Sequence, residues 1–249
     1  MSDKNTDAIK VLASAKRVAV LTGAGISAES GIPTFRGKDG IWNKIRPEQL
    51  ASMDAFLREP ELVRGWYNYR RKIVLQAKPN AAHITLAKME QTVDHLAIST
   101  QNVDGLHKRA GSSKVLELHG NILRDRCNDC GRVFSEIDRD YESLHCECSG
   151  LIRPDVVWFG EMLPEDVLEE SFEEARNADV YFSIGTAATV FPAAQLPIEA
   201  LNSGAYVIEV NIKKTSLTPY IQKHFSGQAG QVLPQILKAV LKEKNRNNE

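Results

Sequence analysis

A short apolar run that leads directly into a glycine-rich turn constrains the fold of this 249-residue chain more than any other feature. Residues 18–21 are apolar and predict a buried parallel strand. Gly23 and Gly25 follow, where the chain must turn sharply and where backbone can approach a ligand closely. The next segment can begin a helix, whose free N–H groups favour a phosphate. The pattern outlines a pyrophosphate site, although Ala28 replaces the third glycine of the usual dinucleotide fingerprint.

Further strand-like runs alternate with helical patterns along the chain. Helical patterns such as 82–91 and 164–177 separate several of the runs, which are residues 18–21, 96–100, 115–118, 180–185 and 206–211. This alternation predicts an α/β fold with a Rossmann-like parallel sheet and helices on both of its faces. Ligands bind beyond the carboxyl ends of the strands in such sheets. One crevice should therefore be lined by the residues that follow the strands, which are Thr22, Gln101, His119, Gly185 and Asn211.

Two segments interrupt the alternation. Residues 38–75 are helical and aromatic, and residues 122–154 contain all four cysteines. We interpret both segments as insertions that form a small second lobe. The predicted organisation is a Rossmann-like domain of residues 1–37, 76–121 and 155–249, with a helical insertion (38–75) and a zinc-binding module (122–154) that together form the small lobe.

The four cysteines lie on two short knuckles, Cys127 with Cys130 and Cys146 with Cys148. Four thiolates at such positions suit tetrahedral zinc. The second knuckle has one residue between its cysteines instead of two, so His145 could substitute for a cysteine, and unligated thiols are the alternative. Four thiolates would leave no open coordination position, so we expect a structural rather than a catalytic zinc.

Charge and hydropathy exclude several classes of partner. The net charge is −1, which predicts no specific binding to nucleic acid and no attraction to an anionic membrane. No apolar stretch approaches the roughly 20 residues that span a bilayer, and the first residues lack a signal-peptide core. We therefore expect a cytoplasmic protein. The sequence leaves the oligomeric state open, with a monomer as one reading.

Four blocks of sequence, in order, resemble the sirtuins, the NAD-dependent protein-lysine deacylases. They are residues 22–37, 100–107, 118–120 and 156–161, and the cysteine pairs lie between the last two. The resemblance runs from about Ala15 to Leu237. It implies NAD as a consumed co-substrate, a structural zinc remote from the chemistry, and acylated lysine side chains of proteins as substrates.

The resemblance also implies roles for single residues. His119 would be the general base, a role that suits histidine because its ordinary pKa is about 6.5, and Asn102 would be a second catalytic residue. If the resemblance is set aside, His119 is simply a histidine at the end of a strand. Gln101, Asn102 and Asp104 are then ordinary turn-forming residues. The implied NAD-binding residues are Gly23, Ala24, Gly25, Ser27, Ala28, Phe35, Arg36, Trp42, Gln101, Asn102, Asp104, His119, Gly185, Thr186, Asn211 and Ala229.

Residues 157–161, which begin with Val157, Trp158, Phe159 and Gly160, are apolar and strand-like, and core is their plain interpretation. In sirtuins the corresponding segment pairs with the backbone of the substrate peptide as an added strand. The resemblance therefore implies that these four residues bind substrate, with Val157 and Phe159 as walls of the tunnel for the acyl-lysine.

Tyr67 and Arg70 are three positions apart, so on a helix they share a face. Arginine can form two hydrogen bonds to a carboxylate, and a tyrosine hydroxyl can add a third. The alternative is an aromatic anchor beside a surface cation. A Tyr-x-x-Arg motif here resembles the class III sirtuins, which remove succinyl and malonyl groups, and Ala51 matches the small residue that widens their pocket. We therefore expect a deacylase for acidic acyl groups that also removes acetyl groups.

Other functions remain open at this stage: plain deacetylation, protein mono-ADP-ribosylation, a non-catalytic sensor of NAD or ADP-ribose, and hydride transfer. A sensor would keep the glycine turn but would not need His119 or the peptide-pairing segment. A dehydrogenase is expected to have a third glycine in the turn and an acidic residue about 20 residues beyond it.

Overall fold

The computed structural model describes residues 3–34, 47–135 and 144–247. The strands of these residues are β1 (Arg17–Thr22), β2 (His95–Thr100), β3 (Val115–Glu117), β4 (Gly120–Cys127), β5 (Val133–Phe134), β6 (Ile152–Val156), β7 (Val180–Ile184), β8 (Tyr206–Asn211) and β9 (Lys223–Ser226). The helices are α1 (Asp3–Ser14), α2 (Pro47–Leu50), α3 (Met53–Arg58), α4 (Pro60–Gln76), α5 (Ala81–Glu90), α6 (Leu106–Arg109), α7 (Glu165–Arg176), α8 (Leu196–Asn202) and α9 (Ala229–Asn247).

A parallel sheet organises most of the described residues. Its strand order is β3-β2-β1-β7-β8-β9, and every pairing in it is parallel. Thr22, the last residue of β1, pairs with Thr100 on one side and with Ile184 on the other. The three central strands therefore end level with one another, so the loops that follow them meet at one edge.

Helices cover both faces of the sheet, as the sequence predicts. Successive strand residues point to opposite faces, and β1 shows this directly. Val18 and Val20 pack with α1, α5 and α9, whereas Ala19 and Leu21 pack with α7 and α8. The continuous apolar sequence of the central strands is explained by this two-sided cover.

The segment after β1 is helical, but it is a short 3-10 helix, Ala24–Ser30, rather than an α-helix. Gly31 ends it with a φ of 83°, which is the left-handed conformation that glycine adopts without a steric penalty. The sequence therefore predicts the position of this helix correctly. The helix is a 3-10 helix, which is wound more tightly than an α-helix.

The two insertions share one hydrophobic core. Strands β4, β5 and β6 form an antiparallel sheet in the order β5-β4-β6. Phe56 and Tyr67 from the helical insertion pack with Ile122, Val156 and Trp158 from the sheet and the loop after it. This shared core supports the small lobe that the sequence predicts, while the exact domain boundaries stay a prediction.

The strand-like interpretation of residues 157–161 is wrong. Strand β6 ends at Val156, and the chain turns over the next residues. The Glu161 carboxylate accepts the backbone N–H of Trp158 at 2.8 Å, and Glu161 N donates to the Trp158 carbonyl at 3.0 Å. Gly160 has a φ of 89°. These bonds make a closed turn, which an apolar pattern alone does not reveal.

Candidate functional site

A cleft of about 610 Å³ opens at the carboxyl edge of the parallel sheet, beside the small lobe. It brings together most of the residues that the sequence analysis assigns to the site. From the Rossmann-like part these are Gly23, Ala24, Gly25, Gln101, Asn102, His119, Gly185, Thr186 and Asn211. From the other segments they are Ala51, Tyr67, Arg70, Val157, Trp158, Phe159 and Gly160.

The remaining predicted residues lie elsewhere. Ala28 and Ala229 line a smaller adjoining cavity of about 210 Å³, which shares Gly25 and Asn211 with the cleft. Ser27 and Asp104 are buried behind the lining, only 1% and 4% exposed. The three other assignments fall outside the described residues, and these are Phe35, Arg36 and Trp42.

Sequence reasoning missed several lining residues in the loops after β7 and β8. They follow Gly185 and Asn211, so carrying the strand-end rule a few residues further would have found them. The missed residues of these two loops are Ala187, Thr189, Val190, Phe191, Ile212, Lys213, Lys214 and Thr215.

The glycine turn packs tightly against the loop after β7. Gly25 N donates to the Gly185 carbonyl at 2.8 Å, and Gly23 N donates to the Ile184 carbonyl at 3.0 Å. A Cβ on Gly25 would lie 2.7 Å from the Gly185 oxygen, and one on Gly185 would lie 2.5 Å from Ile26 N. The sequence analysis attributed these glycines to the approach of a ligand, but the approach of one backbone loop to another already requires them.

A polar network fixes the loop after β2. Asn102 Nδ2 donates to the Gly23 carbonyl at 3.2 Å and to Ser27 Oγ at 3.1 Å. Ser27 Oγ in turn donates to Asp104 Oδ2 at 2.8 Å, and Leu106 N donates to Asp104 Oδ1. Burial raises the pKa of Asp104. The network ties the first glycine turn to the loop that carries Gln101 and Asn102.

Two histidines that the sequence analysis did not select lie beneath this network. His83 and His107 have ring centroids 4.9 Å apart, and Thr22 Oγ1 lies 2.9 Å from His107 Nε2. Burial lowers the pKa of His83 to about 4 and that of His107 to about 3. Both rings are therefore neutral at physiological pH, and they do not add positive charge below the cleft.

His119 lies between β3 and β4 and lines the cleft. Its Nδ1 is 3.0 Å from the Gln101 carbonyl oxygen. A carbonyl can only accept, so Nδ1 carries the proton and Nε2 is the free, basic nitrogen. Burial lowers the pKa of His119, and the bond to Gln101 opposes this only in part. The imidazole is therefore neutral at pH 7 and able to take a proton.

Tyr67 and Arg70 of α4 line the cleft beside Trp158. Trp158 Nε1 donates to the Tyr67 hydroxyl at 2.8 Å. The Arg70 guanidinium lies 4.8 Å from the Trp66 ring centroid and 5.7 Å from that of Tyr67. Phe159 N donates to the Ala51 carbonyl at 3.0 Å, so Ala51 also lies at this end of the cleft. The predicted acyl-pocket residues are thus neighbours in space.

The cleft lining carries an excess of positive charge within the described part of the chain. Arg70, Lys213 and Lys214 contribute cations, and Glu161 is the carboxylate among the lining residues. Glu161 is bonded to the Arg153 guanidinium at 2.7 Å. A chain with a net charge of −1 therefore concentrates cations at this edge, which favours anionic ligands.

The four cysteines meet at one point. Their Sγ atoms all lie within 4.8 Å of one another, and none of the four forms a disulfide. Gly131, directly after Cys130, has a φ of 72°, which allows the tight turn of the first knuckle. His145 is not part of this cluster, and its Nδ1 lies 3.0 Å from the Ser149 carbonyl oxygen. The donor set suits tetrahedral zinc, so the cysteines are positioned to bind a structural zinc.

The fold and the position of its cleft define a Rossmann-like α/β protein, with a cleft at the carboxyl ends of parallel strands, where ligands bind in such folds. The sequence profile of the Sir2 family matches residues 23–192. A relative from Aquifex aeolicus (strain VF5), named NAD-dependent protein deacylase, is 50% identical over 222 residues, which are 88% of this chain and 93% of the relative.

Solved structures agree with the sequence comparison. A variant of a Sir2 homologue in complex with ADP-ribose has a TM-score of 0.92 and 45% identity, and the match covers 97% of each chain. A Sir2 structure with a p53 peptide and NAD⁺ has a TM-score of 0.82 and 33% identity, and the match covers 93% of this chain and 96% of that one.

This chain belongs to the Sir2 family, the family of the sirtuins. The family predicted from the four sequence blocks is therefore confirmed. The enzyme class that the resemblance implied is the one that the relatives carry in their names. None of the helices in the described parts of the chain combines the length and the hydrophobicity that a membrane span requires.

Proposed function

We propose that this chain is an NAD-dependent protein-lysine deacylase that removes succinyl and malonyl groups, and acetyl groups as well, and releases nicotinamide and O-acyl-ADP-ribose. The observation that carries the acyl preference is that Tyr67 and Arg70 line the same cleft as His119 and the glycine turn. An acyl-lysine that reaches His119 would therefore meet a guanidinium and a phenol at the side of the pocket.

The proposed reaction consumes NAD as a substrate. The acyl oxygen of the modified lysine attacks C1′ of the nicotinamide ribose, and nicotinamide leaves with the bonding electron pair. His119 Nε2 then takes the proton of a ribose hydroxyl, whose oxygen attacks the acyl carbon. The lysine nitrogen takes up a proton and leaves as the amine. Water then adds to the acyl carbon, the bond between that carbon and the 1′ oxygen breaks, and the acyl group stays on the attacking ribose oxygen of ADP-ribose. The neutral imidazole and the orientation set by the Gln101 carbonyl support this role of His119.

Charge and chemistry together favour acidic acyl groups. The distal carboxylate of succinyl-lysine is a planar anion that arginine binds with two hydrogen bonds. Burial raises the pKa of Tyr67 to about 12, so its hydroxyl keeps its proton and remains a hydrogen-bond donor. The cations Arg70, Lys213 and Lys214 along the lining also favour an anionic substrate over a neutral one.

The decisive experiment offers the purified protein NAD and one peptide sequence carrying succinyl-, malonyl- or acetyl-lysine. Mass spectrometry of the products should show deacylated peptide and O-acyl-ADP-ribose, with the higher kcat/KM on the acidic acyl groups. Preference for the acetyl peptide would make the chain a plain deacetylase. ADP-ribose on protein would indicate an ADP-ribosyltransferase, and absence of turnover with retained NAD binding would indicate a sensor.

A further inference from the structure

A buried hydrogen bond joins two residues of the acyl pocket that come from different parts of the chain. Trp158 lies in the loop after β6, and Tyr67 lies within α4. The indole Nε1 is 2.8 Å from the tyrosine oxygen, and the two residues are only 2% and 3% exposed. An indole N–H can donate but cannot accept. The tyrosine oxygen is therefore the acceptor in this bond.

This direction determines what the tyrosine proton can do. Burial raises the pKa of Tyr67 to about 12, so the hydroxyl is protonated at physiological pH. A phenol has one proton, and here its oxygen already accepts from Trp158. Among the residues that the structure describes, no oxygen accepts the Tyr67 proton. Since Tyr67 lines the cleft, its proton is available to a ligand there.

The indole itself is held in place from several sides. The Arg153 guanidinium lies 4.2 Å from the Trp158 ring centroid, a distance at which a cation and an aromatic face attract. Glu161 accepts the backbone N–H of Trp158 and also binds Arg153. The Phe56 ring packs 5.3 Å from the indole. Because Trp158 is fixed, its N–H holds the tyrosine hydroxyl in one orientation.

We propose that Trp158 is a positioning residue for acyl specificity, whose indole N–H holds the Tyr67 hydroxyl as a donor toward the distal carboxylate of a succinyl- or malonyl-lysine. The inference rests on the proposed preference for acidic acyl groups. A hydroxyl that is free to rotate would also present its lone pairs to the carboxylate, and ordering it on binding would cost affinity. An acetyl group has no distal carboxylate, so the orientation of Tyr67 should matter little for it.

The first test is Trp158→Phe, which keeps an aromatic ring and removes the N–H donor. Loss of one neutral hydrogen bond corresponds to about a three- to tenfold effect. The ratio of the desuccinylation kcat/KM to the deacetylation kcat/KM of the same peptide should fall by about this factor, mainly through a higher KM for the succinyl peptide. Equal losses on both substrates would overturn the proposal, because they would indicate a wall or a structural role.

A second variant removes the N–H without changing the shape of the ring. Benzothienylalanine inserted at position 158 by codon suppression has sulfur in place of the indole N–H. It should reproduce the selective loss even if Trp158→Phe is poorly folded. Val74→Ala is the matched control, because it removes buried apolar volume from the same core and from the same helix as Tyr67 without removing the donor. It should lower stability but leave the ratio of the two activities unchanged, and a shifted ratio there would count against the proposal.

A double-mutant cycle separates this inference from the proposed function. If Trp158 acts through Tyr67, then Trp158→Phe should add almost nothing to the desuccinylation loss of Tyr67→Phe. Additive losses would overturn the inference. If Tyr67→Phe shifts the ratio of activities but Trp158→Phe does not, the acyl preference stands and the inference fails. If Tyr67→Phe leaves the ratio unchanged, the inference fails, while the acyl preference is decided separately by the kcat/KM values of the unmodified protein on the two peptides.

Discussion

The Nδ1 atom of His119 lies 3.0 Å from the carbonyl oxygen of Gln101, and this bond leaves Nε2 as the basic nitrogen in the cleft. The bond links two strand-end loops, since Gln101 follows β2 and His119 follows β3. The proposed base is therefore joined by a hydrogen bond to the loop that carries Gln101 and Asn102.

Replacing His119 with Ala should remove the proposed general base while leaving the fold and NAD binding largely intact. General-base contributions of about 10²–10⁴-fold set the scale of the expected loss in kcat. Turnover of the succinyl peptide and NAD binding by calorimetry are the two measurements. Near-normal turnover in this variant would remove His119 from the proposed mechanism.

The pH dependence of kcat/KM follows from the same residue. His119 must be neutral to act as a base, so activity is lost as pH falls through its pKa. Burial lowers that pKa below the ordinary value of about 6.5. The acidic limb of the profile should therefore lie below pH 6.5 and should be absent from the residual activity of His119→Ala. A midpoint above about 6.5 would contradict the burial argument.

The glycine turn allows a matched pair of stability tests. Gly25→Ala places a Cβ about 2.7 Å from the Gly185 oxygen, so the two loops must separate, and both stability and NAD binding should fall. Gly65 lies inside α4. Apart from the neighbouring backbone of α4, no atom of the described residues would lie within 4 Å of a Cβ added there. Gly65→Ala should stabilise the protein by about 0.5–1 kcal/mol, because alanine is the better helix former. Urea unfolding of both variants, with NAD titrations, checks the pair, and equal stabilities would contradict the close packing.

The cysteine cluster should hold one metal ion. Elemental analysis of the purified protein should find about one zinc per chain. Cys127→Ala should release the metal and destabilise the small lobe, since metal-binding energy is also folding energy at such sites. Thermal unfolding with and without a chelator is the check. A metal-free protein of unchanged stability would rule out a structural zinc.

The strand-end rule predicted the cleft well, because parallel strands bring their carboxyl ends to one edge whatever the intervening sequence. Gln101, His119, Gly185 and Asn211 all line it. The prediction was wrong for Thr22, which is fully buried at the end of β1 and donates to Thr100 Oγ1 at 2.8 Å. The bond between Tyr67 and Trp158 could not be predicted, because it forms only when α4 packs beside the loop after β6. The amino-acid sequence around Tyr67 or around Trp158 does not indicate that these two residues meet.

Buried residues that hold the loops of the cleft in place are also difficult to predict from sequence. Ser27 and Asp104 were assigned to NAD from the resemblance, and that role stays a prediction. Their observed partners are each other and the neighbouring loops, since Ser27 Oγ donates to Asp104 at 2.8 Å. His83 and His107 gave no local signal, because a buried histidine and an exposed one look the same in sequence. Only the packing of α5 and α6 below the sheet edge brings them together.

Arg70→Met tests substrate choice, where the proposed function makes its most specific claim. If Arg70 binds the distal carboxylate of succinyl-lysine in a desolvated pocket, removing it should cost about 2–5 kcal/mol. Desuccinylation efficiency should then fall by about 30-fold or more, at about 1.4 kcal/mol per tenfold. Deacetylation should change far less, because an acetyl group has no carboxylate to bind. Tyr67→Phe should act in the same direction but more weakly, since it removes one neutral donor.

The ratio of the desuccinylation and deacetylation activities is the measurement that decides. Equal losses on both substrates would mean that these residues support the small lobe, and plain deacetylation would then be the better description of the enzyme.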